Sequence, residues 1–191
     1  MAQQRRHEVA VILPGDCLAA APAGVAVVEG SLSDEGAVSD VIDGRDAVLV
    51  ATVDSDSRTE TREHAQIILN VVRAMTRYDV RRLVVLSSNL VDPRRNHGLA
   101  SWPLVSLLQR RPSQEAAEAR RAEVIVRQSR LDWTLVRPSS LTDGHAQGSL
   151  RVGPGFTLAD AKPTPRRMIA DFMLDELERT TNIGHAVALA T

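Results

Sequence analysis

The chain has 191 residues, with 23 basic and 24 acidic side chains and a formal net charge of −1. That balance excludes a protein that binds nucleic acid or an anionic membrane through bulk electrostatics. No apolar run approaches the roughly 18 residues of a membrane-spanning helix, the first residues lack a signal peptide's apolar segment, and the single Cys17 excludes an internal disulfide. We therefore expect one cytoplasmic domain over residues 1–191, without nucleic acid or membrane as partner.

Six short runs of apolar, mostly β-branched residues predict strands. They span 9–13, 25–28, 47–51, 83–86, 133–136 and 186–189. The runs are continuously apolar rather than alternating, which is typical of parallel strands that are covered on both faces.

Apolar residues at helical spacing predict helices between these strands. They cover 33–42 with Ser33 as the cap, then 59–78, 114–130 and a last helix that Pro165 begins. Strands that alternate with helices predict an α/β fold with a layered parallel sheet. The long irregular stretch 89–112 is a candidate active-site lid, or a turn that packs on the sheet.

Three blocks of sequence carry a family resemblance: VRRLVVLSS at 80–88, LDWTLVRPSSLTDG at 131–144 and DFMLDELERTTNIGHAVAL at 171–189. They resemble the atypical short-chain dehydrogenase/reductase proteins, above all the small NAD(P)H-binding group of biliverdin reductase B, flavin reductase and NmrA-like proteins. The resemblance covers essentially the whole chain. It implies a Rossmann-like, doubly wound, mostly parallel sheet in which the family's first strand and first helix have no counterpart.

The cofactor-binding pattern of that family is incomplete in this sequence. The G-x-x-G-x-x-G turn that approaches the pyrophosphate is absent, Pro14 stands where many members carry an arginine, and Ser31 replaces a usual aspartate. The Tyr-x-x-x-Lys pair of ordinary members is excluded too, since Tyr78 and Lys162 are the sole tyrosine and lysine.

Three explanations compete: a misassigned start, a fragment whose missing part supplies the glycine turn, and a real truncation. We favour real truncation, because a misassigned start alone would not explain Pro14 and Ser31. Unpaired buried backbone groups cost about 1–3 kcal/mol each, so an open sheet would not be tolerated. We therefore expect residues 8–13 to pair directly with 46–51. We also expect a homodimer through the sheet face that the first helix would have covered.

Polar residues after the predicted strands are the candidate site, because ligands of open parallel sheets lie beyond the carboxyl ends of the strands. The resemblance implies that Ser87 orients a substrate carbonyl, although it can equally satisfy backbone groups. Asp54 is a candidate base if desolvated, and otherwise an ordinary loop residue. His97 and His145 are candidates for proton transfer near neutral pH. The candidate substrate-binding residues are Thr52, Ser88, Asn89, Trp102, Ser139, Ser140 and Leu141.

Three functions remain open at this point. The favoured one is a former reductase that works without any cofactor and positions a small organic molecule for cyclisation, isomerisation or dehydration. The second is an NAD(P)H-dependent reductase of a flavin, quinone or enone whose start is misassigned. The third is a non-catalytic, NmrA-like ligand sensor or partner-binding protein. No histidines stand at metal-ligand spacing, so we expect no metal.

Overall fold

A computed structural model describes residues 1–13, 23–51, 58–88, 91, 114–145, 148–156 and 162–191. Within these ranges, nine strands and four α-helices follow a short 3-10 turn at Gln3–Arg5. The strands are β1 (Ala10–Leu13), β2 (Ala26–Glu29), β3 (Ala47–Val50), β4 (Arg82–Leu86), β5 (Asp132–Pro138), β6 (Leu141–Thr142), β7 (Arg151–Gly153), β8 (Thr164–Pro165) and β9 (His185–Ala190). The helices are α1 (Glu35–Ile42), α2 (Arg58–Arg77), α3 (Gln114–Gln128) and α4 (Arg166–Arg179).

The main sheet has the order β3-β4-β5-β9-β7. Its first four strands are parallel, and β7 joins β9 in antiparallel direction. This confirms the predicted α/β, Rossmann-like, mostly parallel sheet, and all six predicted strands are present.

Helices cover both faces of the sheet. On one face α1, α2 and α3 pack over a core that includes Val38, Ile68, Leu83 and Leu135. On the other face α4 packs over Val84, Leu86, Val136 and Leu189. Successive residues of β4 therefore point into opposite cores, which explains why this strand is buried along its whole length.

The start of α1 differs from the prediction by one residue. Asp34 is the cap, and its carboxylate accepts a hydrogen bond of 2.8 Å from the backbone of Gly36. The hydroxyl of Ser33 instead bonds to Glu63 on α2. The side chain predicted as a cap therefore joins two helices.

The expected pairing of 8–13 with 46–51 is wrong. β1 pairs with β2 in a separate two-stranded sheet, and no ladder joins β1 to β3 in the described part of the chain. Ile12 of β1 and Val48 of β3 nevertheless pack against the same hydrophobic core. All four residues of β1 are only half-buried. Water can therefore reach the open edge, and the cost of buried unpaired groups does not arise.

No helix in the described ranges is long and apolar enough to cross a membrane.

Candidate functional site

The carboxyl ends of β4, β5 and β9 meet along one edge of the main sheet, and a cleft opens beside them. It has a volume of about 440 Å³. The described residues that line it are Thr142, Gly144, His145, Lys162, Pro163 and Thr191. Ligand pockets in proteins commonly have volumes of about 300–1,000 Å³, so this cleft can hold a small molecule.

Two serines after β5 brace the wall of this cleft. The hydroxyl of Ser139 donates to the carbonyl of Lys162 at 2.7 Å. The carbonyl of Ser140 accepts from the backbone N–H of Thr164 at 2.8 Å. On the other side, the hydroxyl of Thr191 donates to the carbonyl of Pro163 at 3.0 Å. The segment that carries Lys162 is thus tied to the ends of both β5 and β9.

The hydroxyl of Ser87 belongs to a different network, under α3. It donates to Oε1 of Glu123 at 2.7 Å, and Nε of Arg137 donates to the same oxygen at 2.7 Å. A second nitrogen of Arg137 bonds to Oε2, so the guanidinium holds the carboxylate with two bonds. Glu123 is buried, with 4% of its surface exposed. A serine hydroxyl has one proton, so Ser87 would have to leave Glu123 to donate to a substrate carbonyl.

The remaining sequence candidates take different places. His145 lines the cleft, Ser139 and Ser140 lie in its wall, and Leu141 packs against the core under α4. Ser88 is half-buried at the end of β4. Thr52, Asp54, Asn89, His97 and Trp102, with nearly all of the candidate lid 89–112, lie outside the described residues.

Sequence reasoning missed Lys162 as a site residue. The sequence pattern drew attention to Lys162 only because no tyrosine lies four residues before it, so that it cannot complete a Tyr-x-x-x-Lys pair. The available signal was a sole lysine just before Pro163 and Pro165, at the entrance to the last helix. Its position in one cleft with His145 depends on the bond from Ser139 to its carbonyl and on the bond from Thr164 to Ser140, which no local sequence pattern shows.

The turn after β2 forms a second group of polar residues at a strand end. Asn70 of α2, which is 2% exposed, donates to the carbonyl of Ser33 at 3.0 Å. Ser31 accepts from the backbone of Ser33 at 3.2 Å. Gly30 lies so close to α1 that a Cβ added there would be 2.7 Å from Cβ of Ala37. The turn is therefore rigid and offers hydroxyl and backbone groups at the rim.

Among the described residues, no group of three or more histidines, cysteines or carboxylates is arranged to hold a metal ion.

Comparison with protein families identifies the class. A family model described as NAD(P)H-binding matches residues 1–180. The chain therefore belongs to this NAD(P)H-binding family. No curated protein matches it.

Solved structures confirm the fold. A short-chain dehydrogenase/reductase from Veillonella parvula, in complex with NADP, is 16% identical with a TM-score of 0.75, over 96% of this chain and 82% of that chain. ChuY, an anaerobillin reductase from Escherichia coli O157:H7, is 17% identical with a TM-score of 0.75, over 99% and 87%. A putative NAD-dependent epimerase/dehydratase from Bacillus halodurans is 19% identical with a TM-score of 0.73, over 98% and 84%. At these identities the likeness concerns the fold.

The family match overturns two expectations. The chain is not a protein that has abandoned its dinucleotide site, and the expectation of no cofactor is wrong. The prediction of a cofactor-independent cyclase, isomerase or dehydratase is therefore wrong as well. The expectation treated the missing glycine turn, together with Pro14 and Ser31, as evidence that the whole dinucleotide site was lost. A dinucleotide contacts the loops after several strands, so one motif does not decide its binding.

The described residues fit NAD(P)H at its two ends. A dinucleotide lies where the strand order of such sheets reverses, which here is the break between β1 and β3. The hydroxyl of Ser31, in the turn after β2, accepts from the backbone of Ser33 and can donate its proton to a ribose on one side. On the other side, the hydroxyl oxygen of Ser139, whose proton goes to the carbonyl of Lys162, can accept a hydrogen bond from the nicotinamide carboxamide. Residues 14–22 and 52–57, which follow β1 and β3 in the sequence, are outside the described residues, and we assign no residue to the pyrophosphate.

Proposed function

We propose that this protein is an NAD(P)H-dependent reductase of a small organic acceptor such as a flavin, a quinone or an enone. The observation that carries this proposal is a cleft for a small molecule at the carboxyl edge of the sheet, in a chain of the NAD(P)H-binding family. The bound cofactor would supply a hydride. This chain's own residues hold the acceptor and supply the proton that completes its reduction.

His145 is the proposed proton donor. It lines the cleft, and its imidazolium can give a proton to the enolate, hydroquinone or flavin anion that hydride addition leaves. Ser139 positions the segment that carries Lys162 through a hydrogen bond to the carbonyl of Lys162. Ser87 acts on the site through Glu123 and Arg137, by holding the end of β4 against β5.

Two measurements test the proposal. The chain is titrated with NADPH and with NADH, followed by nicotinamide fluorescence and calorimetry, and reduced nicotinamide is then followed by absorbance with menadione, flavin mononucleotide or cyclohexenone. We expect micromolar binding of one cofactor and turnover of at least one acceptor. A chain that binds neither cofactor would overturn the proposal. Binding without any turnover would favour the non-catalytic sensor.

A matched pair of variants tests the role of His145. We expect His145→Asn to lower kcat by about 10²-fold or more, the usual contribution of a general acid, with little change in cofactor binding. His185→Asn is the control, because His185 is also exposed but begins β9 at the opposite edge of the sheet. Equal kcat in wild type and His145→Asn would rule out this proton donor.

We also propose that the protein is a cytoplasmic homodimer. Leu49 of β3 supports the dimer, since 38% of its surface is exposed on the side of the sheet opposite Val48 and Val50. Light scattering should give twice the chain mass, and Leu49→Gln should weaken the association. A monodisperse monomer would contradict the dimer, and recovery in the membrane or secreted fraction would contradict the location.

A further inference from the structure

We propose that the cleft at the carboxyl edge binds its acceptor through a negatively charged group, carboxylate or phosphate, which Lys162 holds together with His145. This inference rests on the proposed function, because it names the chemical class of the acceptor. It follows from the groups that line the cleft, their supports and the local balance of charge.

Three hydrogen bonds hold the main chain from Lys162 to Thr164. The carbonyl of Lys162 accepts from Ser139 at 2.7 Å, and the next two residues are bonded to Thr191 and Ser140 at 3.0 and 2.8 Å. A fixed main chain lowers the cost of ordering this segment when the lysine binds an anion. The ammonium group therefore lies at the cleft on a main chain that hydrogen bonds hold in place.

The neighbouring acid is already neutralised. Asp143, two residues before His145, bonds to Arg166 at the start of α4 with a distance of 2.7 Å. Among the described residues, no carboxylate lies within ion-pair distance of Lys162. The wall of the cleft therefore carries the positive charge of Lys162, without an ion-pair partner among the described residues, and His145 adds a ring nitrogen that can donate a hydrogen bond.

The other polar groups suit an anion as well. The hydroxyl oxygen of Thr142 accepts from the backbone of Gly144 at 3.2 Å, which leaves its O–H able to donate into the cleft. Ammonium, imidazolium and hydroxyl groups are all donors, and hydrogen bonds from charged donors to carboxylate or phosphate are the stronger kind. The set matches a carboxylate or phosphate oxygen better than a neutral carbonyl.

Paired ligands that differ in one anionic group test the proposal. Flavin mononucleotide and riboflavin differ by a phosphate, and a naphthoquinone with a carboxylate side chain is compared with menadione. Dissociation constants are measured without NAD(P)H, by flavin fluorescence and by calorimetry for the quinones. Each pair is measured on wild type, on Lys162→Gln and on Arg73→Gln, which removes a charge from an exposed position of α2.

In wild type we expect the anionic member of at least one pair to bind about three- to tenfold more tightly. The ratio of the two dissociation constants within that pair should fall to near one in Lys162→Gln and stay unchanged in Arg73→Gln. Preference in the flavin pair alone would identify a phosphate, and in the quinone pair alone a carboxylate. Equal binding within both pairs, or a ratio that Lys162→Gln leaves intact, would overturn the proposal. Because no cofactor is present, this result is independent of whether the protein turns over an acceptor.

Discussion

Glu123 lies at the centre of a buried hydrogen-bond network. Its carboxylate, 4% exposed, accepts from Ser87 and twice from Arg137, and Arg127 approaches it at 3.5 Å. Arg127 also lies over the ring of Trp133, with 5.2 Å to the ring centre. This network ties α3 to the carboxyl ends of β4 and β5 and so stabilises the edge on which the cleft lies.

Removing this carboxylate should be costly. We expect Glu123→Ala to lower the unfolding free energy by about 3–5 kcal/mol, because Arg137 would keep a buried charge without its partner. Glu178→Ala is the matched control, since Glu178 is half exposed in a surface pair with Arg5 and should change stability by at most about 1 kcal/mol. Urea unfolding measures the unfolding free energy of both variants, and equal losses would contradict the stabilising role of the buried Glu123 carboxylate.

His64 makes stability depend on pH. Burial lowers the pKa of His64 below its ordinary value, and the nearby Glu118 opposes the shift. The unfolded chain therefore binds a proton at His64 more readily than the folded one. The unfolding free energy should fall as the pH drops through about 6.5, the value of an unfolded histidine.

The variant His64→Gln isolates this contribution. Its loss of stability between pH 7.5 and 5.5, measured by urea unfolding, should be smaller than that of wild type. Other groups titrate over the same interval, but they do so equally in both proteins. An equal dependence of the unfolding free energy on pH in wild type and variant would contradict the role of His64.

At the scale of elements, β2 and α1 meet at Gly30. Because a Cβ there would be 2.7 Å from Cβ of Ala37, we expect Gly30→Ala to lower the unfolding free energy by about 1–3 kcal/mol. Ala37→Gly alone should cost about 1 kcal/mol, as a glycine inside a helix does. The double variant should be more stable than the sum of the two effects predicts, because it removes the close contact. Strict additivity in this cycle would contradict the contact.

The break between β1 and β3 also belongs to the element scale. Both strands contribute to the core under α1, but each has an edge without a strand partner in the described ranges. A parallel strand in water needs no ladder on an edge that stays hydrated. The side chains of Ile12, Val48 and Val50 therefore decide where these strands lie.

For the whole molecule, this arrangement predicts uneven protection from hydrogen exchange. Amides of β1 and β3 should exchange faster than those of β4 and β5, which are paired on both sides and buried. Mass spectrometry of peptides from these strands measures the difference. Equal protection of β1 and β4 would indicate that the open edge is covered in solution.

We also propose that residues 1–191 form a single domain. The two cores lie on opposite faces of one sheet and share strands β4 and β5. Circular dichroism and tryptophan fluorescence should therefore report a single coincident unfolding transition. Two separated transitions would contradict the single domain.

Local pattern predicted the principal elements well, because neighbouring residues determine where apolar runs and helical spacing occur. It missed β6, β7 and β8, which have only two or three residues and are held by bonds to distant segments. It placed the cap of α1 one residue early because Ser33 and Asp34 are both good caps. The choice between them depends on the contact of Ser33 with Glu63.

The sequence by itself determined the α/β class, the succession of the principal strands and helices along the chain and the family resemblance, since these follow from residues that are close in the chain. The tertiary structure decided that Lys162 stands with His145 in one cleft and that Ser87 binds Glu123. It also decided that β1 and β3 remain apart. Each of these depends on contacts between residues far apart in the chain. Such contacts arise from packing and hydrogen bonding of the whole sheet, which no local pattern encodes.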